Sequence, residues 1–364
     1  MEGSTSTTWP PKDWTSLDRI IVNGPGVLGR IHAGGAVWPV TLEAEDPVAA
    51  PSWLTSMTSA LIATPRDEVA QAPIRTGRVR FALGLLDAAI PVARWMGLQH
   101  AVIVNNTLFS VSMVGSGSVI GLMAATAEAA RRWPHRTIFA RGIVSHTAEA
   151  GVAARALGGV VLPNRISYTF DLRDGLLPDK INVERDIAHL KRQSPRLLQH
   201  DDFDSHHLDD VHRQYRALYV ERHGSGNPDF EPMFFHRAHG AGAVEFLGLA
   251  DGDKLLAFAA LRDHGEFVSV PLFGYKPDAP PRAGLYRMMF ARVLALAAER
   301  RRMINFGAGA GHFKRLRGGQ ATVEHMILIP PRQTVIGLGL KILLSACEKR
   351  LNQWIPQTIV AHGG

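Results

Sequence analysis

Residues 303–319 combine glycines with basic side chains in a pattern typical of anion binding. The stretch reads MINFGAGAGHFKRLRGG, in which Gly307, Gly309 and Gly311 follow directly on an apolar segment that ends at Phe306. Glycine adopts backbone conformations that other residues avoid and lets a ligand approach the main chain, so such a turn can direct several N–H groups at one anion. The side chains after the turn are His312, Phe313, Lys314, Arg315 and Arg317. The alternative interpretation is a tight turn whose basic residues are solvated.

Lys314 is the residue of this stretch best suited to catalysis. Lysine is rare in the chain, with eight among the 40 Lys and Arg residues, and one of them follows the glycines. Positive charge and N–H groups stabilise an oxyanion that forms during a reaction, and Lys314 with the backbone of residues 309–311 can supply both. His312 and Glu266 are the predicted candidates for a general base, with Glu245 as a further one, if the reaction needs a base.

The composition is that of a globular protein with an excess of positive charge. The 364 residues are 46% hydrophobic and 20% charged, which suits two domains of ordinary size and excludes collagen-like, disordered and disulfide-rich classes. The net charge of +7 and the pI of about 9.8 favour an acidic partner: nucleic acid, a nucleotide-bearing donor or an anionic surface. The single cysteine, Cys347, cannot form an internal disulfide, which favours a reducing cytosol.

Neither a secretory leader nor a membrane span is predicted. The N-terminus lacks a charged segment followed by an apolar one. The longest apolar run, residues 335–346, contains Lys341 and is shorter than the ~20 residues that a span requires. We therefore expect a cytoplasmic protein without stable membrane insertion.

The first half alternates strands and helices, which is typical of an α/β fold. After a flexible arm at 1–17, a strand is predicted at 18–23, followed by the sequence GPGVLG at 24–29, a formal match to the dinucleotide-binding pattern. Because residues 30–39 contain two adjacent glycines and a proline, no helix can follow, and a hairpin turn is favoured over a nucleotide site. The other predictions are helices at 53–63, 81–96, 119–132 and 146–157 and strands at 100–110, 137–144 and 160–172.

The second half contains an antiparallel meander followed by a long amphipathic helix. The predicted helices lie at 206–222, 283–302 and 335–351, and the strands at 244–250, 254–262, 266–273, 303–306 and 323–329. Ser205 is the predicted cap of the first of these helices. Tight turns at 251–252 and 263–265 join the three strands of the meander.

This order of elements, together with the motif at 305–319, resembles the GNAT acyltransferase fold and, more narrowly, its FemAB-like branch of tandem GNAT-like domains. That branch includes Fem peptidyltransferases and tRNA-dependent aminoacyl transferases of natural-product pathways. Its members carry an aromatic–lysine pair beside a glycine late in the second domain, and Phe313, Lys314 and Gly318 match this pattern. The resemblance covers residues 200–330 and, more weakly, 80–172. It implies mixed sheets flanked by helices, and a lysine that stabilises the oxyanion or the phosphate and ribose end of the donor.

The resemblance also implies a division of the chain. The expected parts are a flexible arm (1–17), an N-terminal GNAT-like domain (18–175), a linker helix (176–200), a C-terminal GNAT-like domain (201–332) and a helical tail (333–364). The two halves share an outline of elements but no repeat at the level of residues.

One departure from the family bears on the donor. Members that use coenzyme A hold its pyrophosphate with an RxxGxG/A loop before the long helix, whereas residues 280–287 read PPRAGLYR, so that only Arg282 and Gly284 remain. This favours an aminoacyl-tRNA donor, which the basic charge also suits. The donor-binding residues implied are Arg282, Gly284, Gly307, Gly309, Gly311, Phe313, Arg315 and Arg317. Tyr275 and Asn305 are assigned to the acceptor pocket.

The sequence therefore predicts a transferase that moves an aminoacyl group from tRNA onto the amine or hydroxyl of a small-molecule acceptor, with antibiotic biosynthesis as a possible setting. No cofactor beyond the donor is predicted. Two alternatives stay open: an acyl-CoA-dependent N-acyltransferase and a non-catalytic module that binds RNA or another anion. The histidines and aspartates between His200 and His212 lack the spacing of a metal site, so no metal is predicted.

Overall fold

The computed structural model describes most of the chain between residues 9 and 331. The described ranges are 9–44, 51–63, 100–115, 118–144, 147–222 and 226–331, with residue 224 and single positions between 84 and 93. The predictions for residues 1–8 and 335–351, and nearly all of 81–96, fall outside these ranges.

Among the described residues, eleven strands form one continuous mixed sheet. The strands are β1 (Gly26–Ala33), β2 (Ala36–Glu43), β3 (Val102–Val104), β4 (Ile138–Ile143), β5 (Val160–Asp171), β6 (Arg196–Leu198), β7 (Glu245–Asp251), β8 (Lys254–Asp263), β9 (Phe267–Tyr275), β10 (Met303–Asn305) and β11 (Gln320–Ile329). Their spatial order is β1-β2-β3-β4-β11-β5-β10-β9-β8-β7-β6. The last strand in sequence, β11, lies between β4 and β5, so main-chain hydrogen bonds join the two halves of the chain.

Seven α-helices are described. They are α1 (Val119–Arg132), α2 (Thr147–Ala156), α3 (Ile181–Gln193), α4 (Ser205–Tyr215), α5 (Pro232–Gly240), α6 (Leu285–Glu299) and α7 (Gly311–Arg315). Helix α1 connects the parallel pair β3 and β4, and α6 connects the parallel pair β9 and β10. Parallel neighbours require such a crossover because the chain must return to the starting edge of the sheet.

The two faces of the sheet carry different layers. Odd-numbered residues of β11, such as Ile327, face helices α1 and α2, and Phe170 on the same face of β5 packs against α6. Even-numbered residues of β11 face the opposite side, which we call the front face. Residues 51–63 and 105–114 cover its centre. Over β8, the front face is covered by α4, α5 and the N-terminal segment 9–28.

Most of the predicted elements of the second half are confirmed, and those of the first half are confirmed from residue 119 onward. The strand predicted at 18–23 is wrong: these residues form turns, with one isolated bridge from Ile21 to Phe230. The turn predicted at 24–29 is also wrong, because β1 runs through most of it and pairs with β2. The hairpin turn falls at Gly34 and Gly35, whose φ angles of 58° and 75° suit the twist of the two strands.

Three further differences concern element ends. The strand predicted at 100–110 is limited to β3, because the chain turns at Asn105 and Leu108, which both have a φ of 61°. The helix predicted at 206–222 ends as an α-helix at Tyr215 and continues as a π-helical turn. Its cap is Asp204 rather than Ser205: the Asp204 carboxylate accepts from the His207 N–H at 2.9 Å. Helix α5, which begins with a proline, was not predicted.

Candidate active site

Strands β9 and β10 part where β10 ends. Their parallel pairing covers three positions and stops at Asn305, opposite Ser269. Beyond Asn305 the chain turns towards β5 and exchanges two backbone hydrogen bonds with Tyr168. Strand β9 itself continues to Tyr275. The backbone of β9 after Ser269 therefore borders a gap in the sheet, a position where an extended ligand can pair with a strand edge.

The glycine-rich segment predicted from the sequence forms the loop between β10 and α7. Gly307 and Gly309 have φ angles of 66° and 74°, and Ala310 adopts the same left-handed region with a φ of 45°. This conformation is open to glycine without steric cost and strained for alanine. The loop therefore folds back tightly enough to bring α7 against the end of β10.

Lys314 holds this loop from inside. Its Nζ donates to the carbonyl oxygens of Phe306 (2.8 Å), Gly307 (3.0 Å) and Ala308 (2.8 Å). The side chain is buried, and burial, followed by the charge of Arg165, lowers the pKa of Lys314 to about 7. Three carbonyl acceptors use all three protons of the ammonium group. The observed geometry is that of a residue that positions the loop, and direct contact with an oxyanion stays a prediction.

Asn305 fixes the start of the same loop. Its Oδ1 accepts from the Gly307 N–H at 2.7 Å, and its Nδ2 donates to Ser167 Oγ at 2.8 Å. The side chain is fully buried. Asn305 thus connects β10 to β5. Both of these bonds are made within the protein, so the acceptor contact predicted for Asn305 stays a prediction.

Phe313 anchors α7 to α6. Its ring packs edge-on against Tyr286, with centroids 4.8 Å apart, and against Phe290 at 5.2 Å. The Arg317 guanidinium lies on the ring, with Cζ 3.4 Å from the centroid. Tyr275, at the end of β9, packs edge-on against Tyr286 at 6.1 Å. An aromatic row therefore connects the far end of β9 with the glycine loop.

Tyr168 supports the loop from β5. Arg315 Nη1 donates to Tyr168 Oη at 3.0 Å, and Lys314 Nζ lies 5.7 Å from the centre of the ring. A Cβ atom at Gly311 would overlap the Tyr168 hydroxyl group. Gly311 is therefore required for close packing rather than for an unusual backbone angle.

The N-terminus of α6 lies at the far end of β9, beyond a three-residue 3-10 turn that contains the exposed Arg282. Gly284, with a φ of 65°, occupies the N-cap position, and no side chain caps the helix. His189 from α3 approaches here: its Nε2 lies 2.9 Å from the Ala283 carbonyl oxygen, and its Nδ1 lies 2.9 Å from Arg192 Nη2. These partners fix the tautomer, with Nε2–H donating and Nδ1 accepting.

Two predicted catalytic residues lie on the surface. His312 is exposed in the first turn of α7. Glu266 is exposed in the turn before β9, at the opposite end of the β9–β10 pairing from Lys314. The structure does not bring Glu266 and Lys314 to the same end of the gap. Their roles as bases stay predictions.

The front face carries a polar row that the sequence analysis missed. In β5, Ser167 and Thr169 point to this face, and Arg165 pairs with Glu324 of β11, Nε to Oε2, at 2.7 Å. The alternation of polar residues at positions 165, 167 and 169, in a strand whose other face is buried, is the sequence signal that indicates this row. In the neighbouring strands, the row continues with Asn305 and Ser269.

His264 closes this row. Its Nε2 lies 2.8 Å from Ser269 Oγ, and burial, followed by the charge of Arg262, lowers the pKa of His264 to about 3. His264 is therefore neutral at physiological pH. A hydrogen bond to the backbone of Met113 attaches residues 105–114 to the turn before β9, so His264 is placed as a structural link.

Residues 180–315 match the model of the acetyltransferase (GNAT) domain. This stretch is similar to the GNAT acyltransferase domain. It contains the meander β7–β9, the long helix α6 and the loop that carries Lys314. The mixed α/β architecture predicted from the sequence is confirmed.

Several solved structures resemble the fold of this chain. FemX has a TM-score of 0.48 at 10% identity, covering 94% of this chain and 99% of that one. L-PGS from Bacillus licheniformis has a TM-score of 0.47 at 12% identity, covering 68% and 82%. A GCN5-related N-acetyltransferase from Kribbella flavida has a TM-score of 0.34 at 11% identity, covering 63% and 80%. No curated protein matches the chain.

Two features of the described ranges bear on ligands and membranes. Within them, no helix is long and apolar enough to cross a membrane. In the same part of the chain, no group of three or more His, Cys, Asp or Glu side chains is arranged to hold a metal ion.

Proposed function

We propose that the protein transfers an aminoacyl group from aminoacyl-tRNA to the amine or hydroxyl of a small-molecule acceptor. The observation that carries the proposal is the covered N-terminus of α6. The place that a Cβ atom of Gly284 would take lies 2.8 Å from His189 Nε2 and 2.9 Å from Arg287 Nη2. These side chains stand beside the helix start, where the glycines of a coenzyme A loop would leave the backbone open to pyrophosphate. The sequence resemblance pointed in the same direction, since this loop lacks the RxxGxG/A spacing.

The charge of the protein supports a nucleic acid donor. The net charge is +7, and Arg192, Arg282 and Arg287 surround the start of α6. Basic side chains bind the phosphate backbone through release of counterions, so binding of tRNA to this surface is expected to weaken steeply with salt.

The gap between β9 and the glycine loop is the proposed place of reaction. The acceptor nitrogen or oxygen attacks the ester carbonyl of the donor, and the 3′-terminal ribose hydroxyl of the tRNA leaves. The N–H groups of residues 309–311 are the proposed oxyanion donors, and Lys314 keeps them in position by binding the carbonyls on the other side of the loop. Fixed donors of this kind act on the charge that develops in the transition state.

The test is a donor assay with the full chain. Purified protein is given a pool of aminoacylated tRNAs and, separately, a panel of acyl-CoAs, and loss of the aminoacyl group, release of free thiol and donor binding are measured. Lys314→Met removes the buried charge, and Lys276→Met, at an exposed lysine, is the matched control. Salt-sensitive binding and discharge of a charged tRNA by the wild type and by Lys276→Met, but not by Lys314→Met, is the expected result.

An acyl-CoA donor is the second candidate. It is favoured by one observation: among the described residues, no side chain caps α6 at Gly284, and an uncapped helix N-terminus favours an anion. Saturable acyl-CoA binding with thiol release and no response to tRNA would establish this candidate and reject the tRNA donor. RNA binding without turnover, unchanged by Lys314→Met, would indicate the non-catalytic module.

A further inference from the structure

Arg141 is a buried cation that forms no ion pair with a carboxylate of the described residues. It lies on β4, it is 6% exposed, and its Nη1 has no hydrogen-bond partner within the same ranges. The guanidinium lies over the ring of Trp53, with Cζ 5.5 Å from the centroid. Burial, followed by repulsion from Arg165, lowers the pKa of Arg141 to about 10. A buried guanidinium nitrogen without a partner is costly, because the lost hydration is not replaced.

Glu324 has one carboxylate oxygen that accepts no hydrogen bond from the described part of the chain. It is 3% exposed, its Oε2 accepts from Arg165 Nε at 2.7 Å, and the oxygen without a donor is Oε1. Arg141 lies at an irregularity of the β4–β11 pairing, between the pairs Ala140–Ile327 and Ile143–His325, and Glu324 is the residue of β11 just before His325. An unused donor and an unused acceptor thus lie on adjacent strands, close enough for Glu324 to act electrostatically on Arg141, without being bonded to each other.

We propose that Arg141 and Glu324 bind the two ends of a small molecule that carries both an oxyanion and an amine or hydroxyl group. The oxyanion, a carboxylate or a phosphate, lies against Nη1 of Arg141, and the N–H or O–H group donates to Oε1 of Glu324. A molecule with one charge of each sign satisfies both atoms, whereas a simple anion meets the repulsion of Glu324. The ligand enters past Arg165, whose side chain is 20% exposed.

This inference rests on the proposed function and specifies its acceptor. The acceptor is a compound that carries an amine or hydroxyl group together with a carboxylate or phosphate. The Arg165 charge acts on both Arg141 and Lys314, so both of these cations lie near Arg165. The predicted acceptor residues Tyr275 and Asn305 are not used here, because Asn305 is already bonded to the protein on both sides.

The test measures binding in the absence of any donor, so that its failure is separate from failure of the transfer reaction. Calorimetric titration of the full chain compares glycine and phosphoethanolamine, which carry both groups, with acetate, inorganic phosphate and ethylamine, which carry one. The two-group probes are expected to bind at least about tenfold more tightly than the one-group compounds, because they form one more charge-assisted hydrogen bond. The difference between glycine and phosphoethanolamine distinguishes a carboxylate from a phosphate.

Substitutions of Arg141 and Glu324 test which residue binds which end of the ligand. Arg141→Gln and Glu324→Gln are each expected to weaken the two-group probe by about tenfold or more. Arg141→Lys replaces Arg141→Gln if the latter does not fold, since it retains the charge and loses the planar fork. Arg262→Gln is the control: Arg262 is half-buried and its Nη1 also has no partner among the described residues, but it lies on β8 over Phe109, and binding is expected to stay unchanged. Absence of saturable binding to the wild type, equal binding of acetate and glycine, or equal losses in all variants would overturn the proposal.

Discussion

Arg317 Nε lies 2.6 Å from Asp186 Oδ2, and both side chains are almost fully buried. The pair connects α3 to the chain two residues after the end of α7. The Arg317 guanidinium lies on the Phe313 ring, and its Nη1 donates to the carbonyl oxygen of the same residue at 3.0 Å. The position of the loop that carries Lys314 therefore depends on an ion pair formed with a helix more than a hundred residues away.

Asp186→Asn is expected to destabilise the protein by about 3–5 kcal/mol, because it leaves the Arg317 charge buried without a carboxylate. Urea unfolding measures this loss. The matched control is Asp171→Asn, whose partner Arg173 is exposed and whose loss is expected to be below about 1 kcal/mol. Similar small losses for both variants would show that the buried pair does not hold α7.

Lys314→Met is expected to change how stability depends on pH. The native pKa of Lys314 is lowered from 10.5 to about 7, chiefly by burial, so between these values the unfolded chain binds a proton that the native protein has released. Unfolding then takes up a proton, and the contribution of this group to stability rises with pH over that window.

The measurement is the unfolding free energy of wild type and Lys314→Met over a range of pH. The difference between wild type and variant is expected to favour the wild type increasingly as the pH rises above about 7, and to be flat at lower pH. Lys276→Met, at an exposed site, is expected to show no such slope. A flat difference in the alkaline range would mean that Lys314 keeps its proton and that its three carbonyl bonds outweigh burial.

Gly311→Ala is expected to displace Tyr168 and to lower stability by about 1–3 kcal/mol, the usual effect of overpacking. Tyr168→Phe removes the hydroxyl group that the new methyl group would overlap. The double variant is therefore expected to lose less stability than the two single variants lose together. A double-mutant cycle by thermal unfolding measures this coupling. Additive losses would place the effect of Gly311 elsewhere.

His189→Ala tests whether the α6 N-terminus is covered. Removing the imidazole frees the space beside Gly284, so binding of coenzyme A, measured by calorimetry, is expected to increase relative to the wild type. His236→Ala, at a partly exposed histidine paired with Asp209, is the control and is expected to leave coenzyme A binding unchanged. Coenzyme A binding that stays equal in all three proteins would remove the main structural support for a tRNA donor.

Local patterns in the sequence were sufficient for the elements of the GNAT domain. The tight turns at 251–252 and 263–265, the apolar periodicity of 285–299 and the glycines after Phe306 act over a few residues, and the corresponding strands, helix and loop are confirmed. Where local signals conflicted, the prediction was wrong. At 24–29 the glycines indicated a turn, but long-range pairing with β2 holds them in a strand.

The sequence by itself indicated the α/β fold and the loop that contains Lys314, because these follow from local spacing, and its resemblance to the GNAT family indicated the acyltransferase class. Only the tertiary structure decided what the side chains contact. The insertion of β11 between β4 and β5 places Glu324 beside Arg165 and on the strand next to Arg141, and the return of the loop turns the Lys314 ammonium onto its own carbonyls. The first of these depends on pairing between residues far apart in the chain, because strand order is set by the burial of whole faces, which no local pattern contains.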